Sequence, residues 1–66
     1  MDARVRIERA LIELPEAMRE AFLLKHVEGR AYEDIADLLG VSVPALKMRV
    51  HRARTILKDL MERADG

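Results

Sequence analysis

Between Ala45 and Lys58 stand five cations, Lys47, Arg49, Arg52, Arg54 and Lys58, and no acid. Guanidinium and ammonium groups at that density neutralise phosphates, and Arg or Lys can also hydrogen-bond the edge of a guanine. Met48 and His51 are interleaved with them, and Ser42 stands just before them. A serine there suits a helix cap, and the free N–H groups behind such a cap can hold a phosphate. The stretch from Glu28 to Asp37 is the reverse, with Glu28, Glu33, Asp34 and Asp37 against Arg30 alone. Overall, 12 Lys+Arg balance 12 Asp+Glu, yet six bases and nine acids precede Val41, while six bases and three acids follow from it onward. The zero total therefore hides a polarised chain: one part can face phosphates, the other a protein.

Other chemistries find little support. Without Cys there is neither a disulfide framework nor a thiolate metal site. His26 and His51 belong to different predicted helices with no carboxylate partner on the same faces, so no metal is expected. No Ser/His/Asp grouping, Gly-rich phosphate loop or paired-carboxylate site is visible, so neither an enzyme nor a cofactor is expected. Phe22 and Tyr32 are the only aromatics. Single-strand binding usually needs stacking platforms, whereas reading a duplex major groove does not.

The elements that must position the basic segment are helical. A length of 66 residues allows one domain, spanning 1–66, whose core supplies only a few kcal/mol of margin. The pattern predicts an all-α, four-helix domain with helices at about 3–13, 16–27, 32–39 and 43–63. In the first, Ile7, Leu11 and Leu14 follow helical spacing. Pro15 interrupts the chain and suits the start of the second helix. There Met18, Ala21, Phe22 and Lys25 share a face, with Leu24 and Val27 at its edge. Gly29 and Gly40 are placed to end the second and third helices. The longest apolar run, Ala21 to Leu24, is far too short for a bilayer, and the first residues lack a signal peptide's apolar stretch; a soluble cytoplasmic chain is expected. The final Ala64-Asp65-Gly66 is expected to fray.

Residues 31–54 carry a helix-turn-helix signature, and its spacing has a physical basis. Ala36 is small where the second helix crosses close by, Gly40 takes the sharp turn, and Val41 and Leu46 fill the angle. Ile35 and Leu39 seat the unit on the remaining core. Ser42 caps the long recognition helix, and Pro44 lies in its first turn, where a missing N–H costs nothing. At 100° per residue, Val50, Ala53, Leu57 and Leu60 fall within about 40° of Leu46 and form the buried stripe. Pro44, Met48, His51, Arg52 and Thr55 occupy the opposite face. Lys47, Arg54 and Lys58 flank it on one side, Ala45 and Arg49 on the other. Ile56 and Met61 lie beside the stripe and either extend the core or form an apolar patch for a partner.

These residues together resemble a known family. Leu14-Pro15-Glu16, Arg19 to Leu24, His26-Val27-Glu28-Gly29, Tyr32 to Val43, and Lys47 followed by Arg49 to Arg54 are similar to region 4 of sigma-70 factors, best of all those of the extracytoplasmic-function group. The resemblance implies that the fourth helix reads the −35 promoter element in double-stranded DNA. It also implies docking on the flap of the RNA polymerase β subunit and cover by an anti-sigma factor. By position Lys47, Met48, His51 and Arg52 would face bases. Ser42, Arg49, Arg54 and Lys58 would face the backbone, although Arg49 lies toward the buried side, where it could instead pair with an acid of an earlier helix. The chain departs from the family where Pro44-Ala45 replaces Gly-Thr, where Met48 replaces Ser, and where Ala31 replaces a capping hydroxyl. The lost hydroxyls remove hydrogen bonds to DNA, and Met48 offers apolar contact instead, of the kind a thymine methyl accepts. These residues hold no counterpart of region 2, so the chain alone is not expected to start transcription; an excised C-terminal domain is expected, with a natural stand-alone protein as the alternative. Two alternatives remain: a sigma-like protein-interaction module that does not read DNA, and a LuxR-type response-regulator domain.

Overall fold

A computed structural model describes residues 3–65, with side-chain environments over residues 4–63. Its elements are α1 (Ala3–Glu13), α2 (Glu16–Phe22) continued by a π-helical turn (Leu23–Val27), α3 (Tyr32–Leu39) and α4 (Val43–Asp65). The fold is all-helical, with a helix-turn-helix formed by α3 and α4. Pro15 separates α1 from α2 because it cannot donate to the ladder, yet its carbonyl accepts from the N–H groups of Met18 and Arg19, both at 3.0 Å. α4 stays helical to Asp65, through two of the three residues expected to fray; Gly66 lies outside the described residues.

The second helix differs from the continuous α-helix that the pattern predicts. From Leu23 onward it widens, and the Glu28 N–H reaches the Leu23 carbonyl five residues back at 3.1 Å. A wider turn advances fewer degrees per residue, which carries Val27 off the packed side to 70% exposure. Gly29, at φ +67°, then reverses the chain. The Arg30 N–H returns to the Leu24 carbonyl at 3.2 Å, and Lys25 Nζ donates to the Arg30 carbonyl at 3.3 Å.

The apolar interior consists of two clusters strung along α4. Ala21, Ile35, Ala36, Leu46 and Val50 form the first, edged by Leu24, Tyr32, Leu39, Val41 and Val43. Ala10, Leu14, Ala53 and Leu57 form the second, edged by Leu11, Met18, Phe22, Ile56 and Leu60. Ile56 therefore extends the core. Ile7 departs from the expected stripe: it is 43% exposed, and Ala10 is buried in its stead. Small side chains let helices approach closely, and α1 gives Ala10 to the cluster that holds Ala53 while bulkier Ile7 is left outside.

Gly40 ends α3 at φ +70°, ψ +34°, with its own N–H and that of Val41 both returning to the Ala36 carbonyl. A Cβ there would meet nothing within 4 Å, so the cost of adding one is backbone strain rather than collision. Gly40→Ala is expected to lower stability by about 1–2 kcal/mol, and Gly40→Asn by less, because Asn tolerates the left-handed region. Urea unfolding of the three chains checks this, and an unchanged midpoint for the Ala variant would refute it.

Candidate nucleic-acid interface

α4 is divided lengthwise. Leu46, Val50, Ala53 and Leu57 are buried, while Pro44, Ala45, Lys47, Met48, His51, Arg52, Arg54, Thr55 and Lys58 are exposed. The 3.6-residue period enforces this division, since the buried residues recur at three- and four-residue steps. Ser42 starts the helix: its Oγ accepts from the Ala45 N–H at 3.2 Å, and its carbonyl accepts from the Leu46 N–H at 2.9 Å. The hydroxyl proton remains able to donate outward. α3 has no comparable cap, because Ala31 has no side-chain acceptor. Glu33 and Asp34 in its first turn complement the helix dipole instead.

The cations of α4 are available. Among the described residues, the ion pairs are Arg4–Glu8 at 3.5 Å, Arg30–Glu28 at 2.9 Å and Arg63–Asp59 at 3.0 Å, and none involves a cation between Lys47 and Lys58. Arg52, Arg54 and Lys58 are exposed and form no ion pair among the described residues. His51, Arg54, Thr55 and Lys58 line a hollow on this face, where Thr55 Oγ1 donates to the His51 carbonyl at 3.1 Å. Arg49 is half-buried beside the stripe, but no acid among the described residues pairs with it. The acids of α3, Glu33, Asp34 and Asp37, are exposed to solvent.

Lys47 is placed differently from its neighbours. Its Nζ lies 5.5 Å from the centroid of the Tyr32 ring, and Lys25 Nζ lies 4.4 Å from the same ring. Ammonium groups are drawn to the ring's negative face. Lys47 therefore leans toward the start of α3, whereas Met48, His51 and Arg52 face solvent. Lys25, Tyr32 and Lys47 come from three elements, and no spacing in the chain signals that they meet. His26 is likewise occupied, its ring 4.8 Å from that of Phe22. Among the described residues no group of His, Asp and Glu could hold a metal ion, and no helix is long and apolar enough to cross a membrane.

An exposed, unneutralised basic face on a capped helix can grip phosphates while its central side chains reach base edges. The sequence is similar to those of known proteins. The family described as "Sigma-70, region 4" matches residues 4–57. The chain is 44% identical over 52 residues to the ECF RNA polymerase sigma factor EcfG of Rhodopseudomonas palustris, covering 79% of this chain and 29% of that protein. It is 38% identical over 55 residues to the ECF RNA polymerase sigma factor SigE of Mycolicibacterium smegmatis, covering 83% of this chain and 21% of that one. To the RNA polymerase sigma factor SigZ of Bacillus subtilis it is 38% identical over 61 residues, covering 92% and 35%. The chain thus spans about a fifth to a third of the length of these relatives.

Proposed function

This chain belongs to the sigma-70 region 4 family, in its extracytoplasmic-function group, and we propose that it recognises promoter DNA in transcription initiation by reading the −35 element with α4. The observation that carries this reading is the exposed face of α4, whose cations from Lys47 to Lys58 meet no acid among the described residues. The first turns of α4 enter the major groove, the usual geometry of a recognition helix. Met48, His51 and Arg52 reach base edges, joined by Lys47 once its ammonium leaves the Tyr32 ring. Ser42, Arg49, Arg54 and Lys58 hold the phosphates that fix the register. The remaining surface, with exposed Leu38 among Glu33, Asp34 and Asp37, serves the polymerase β flap or an anti-sigma factor.

A second reading, a protein-interaction module without DNA recognition, draws on Pro44, Ala45 and Met48, which put no hydrogen-bonding side chain on the first turn of that face. Mobility shifts with duplexes selected from a randomised pool, beside a pulldown with the β flap, separate the two. The DNA reading predicts a preferred sequence; flap capture with no preference over random DNA supports the second. The salt dependence tests the phosphate contacts. Arg54→Ala is expected to reduce the slope of log affinity against log salt by about one unit. An unaltered slope for Arg54→Ala would remove it from the backbone contacts.

A further inference from the structure

Met48 is the large apolar side chain that α4 turns to solvent, 51% exposed on a helix whose other large apolar groups are packed or half-packed. Its neighbours one turn earlier, at i−4 and i−3, are Pro44 and Ala45, both exposed. One turn later come His51 and Arg52. Residues at those spacings are adjacent on a helix surface, so the three form an apolar strip ahead of the cations. Lys47 flanks the strip rather than interrupting it, since successive residues stand about 100° apart around a helix. From Pro44 to Met48 the strip rises about 6 Å at 1.5 Å per residue, roughly two base steps.

An apolar strip in a major groove strips water from base edges without replacing their hydrogen bonds, which is costly over polar edges. The one apolar group that bases present there is the C5-methyl of thymine. Resting on the DNA reading proposed above, we infer that Met48, backed by Pro44 and Ala45, is a specificity-determining residue that selects thymine by its methyl group. The flexible thioether adapts to the methyl's position, while His51 and Arg52 engage the adjacent pairs.

The test removes the methyl alone. Duplexes selected by this chain from a randomised pool are remade with each thymine replaced, singly, by deoxyuridine, which retains every hydrogen bond. At one or two positions the replacement is expected to weaken binding by the wild-type chain about fourfold, the worth of one buried methyl. Met48→Ala binds the thymine duplex more weakly by a similar factor and no longer distinguishes thymine from uracil at those positions; Met48→Leu retains the distinction. If every thymine tolerates replacement, or Met48→Ala discriminates as the wild type does, Met48 is a bystander and the inference is overturned while promoter reading stands. If the pool yields no preferred sequence, the inference falls together with the reading beneath it.

Discussion

Leu46→Ala is expected to destabilise the domain by about 2–5 kcal/mol, the usual cost of emptying a buried leucine site. Leu46 is fully buried in the cluster where α2, α3 and α4 meet, beside Ile35 and Val50. Those neighbours are held by three helices, so the site can collapse only in part and most of a cavity remains. A domain of this size has about 3–10 kcal/mol in total, so the variant will be substantially unfolded near physiological temperature. Leu38→Ala is the control: Leu38 is 60% exposed on the neighbouring helix, and its truncation should change stability by no more than about 0.5 kcal/mol. Urea titration followed by circular dichroism measures both. A loss below about 1 kcal/mol for Leu46→Ala would mean that the helix-turn-helix does not rest on this contact.

Arg52→Ala is expected to weaken binding to the preferred duplex by about 1–3 kcal/mol, or roughly 5- to 150-fold, and to relax specificity at one position. Arg52 is exposed and forms no ion pair among the described residues, so its removal should leave the melting temperature unchanged. The loss is then attributable to recognition. Arg52→Lys keeps the charge but not the planar fork, and should retain non-specific affinity while losing most of the discrimination. An equal loss on preferred and random duplexes would instead place Arg52 on a phosphate.

The helix-turn-helix was legible because its constraints are local. Ala36, Gly40 and Leu46 each meet a steric requirement set by neighbours within ten residues, and the α4 stripe follows from a fixed period. Pro15, Gly29 and Gly40 interrupt the chain through backbone properties that need no tertiary context. The features that escaped depend on partners distant in sequence or on small departures from ideal geometry. Ile7 has the right spacing for burial, but it is Ala10 of α1 and Leu14 just after it that join Ala53 and Leu57 of α4 in one buried cluster. The π turn at Leu23–Val27 differs from an α-helix by one residue per turn, less than a five-residue apolar pattern can resolve. Of the exposed face of α4, the exposure of Met48, His51 and Arg52 followed from the angular layout, as did the half-burial of Arg49 beside it. The lean of Lys47 toward Tyr32 did not, and among the described residues no acid pairs with Arg49.

The lengthwise division of α4 bears on how such a domain can diverge. Its inner residues are answerable to both clusters, so a change there threatens the whole fold. Its outer residues touch little, and substitutions at such positions usually alter stability by no more than about 0.5 kcal/mol. Under the proposed DNA reading, a lineage can therefore drift through new combinations at Pro44, Ala45, Met48, His51 and Arg52, acquiring new target sequences without passing through unfolded ancestors. Arg49 straddles the boundary, half-buried beside the stripe and still charged. It is the position at which the proposed DNA contact and folding are least free to change independently.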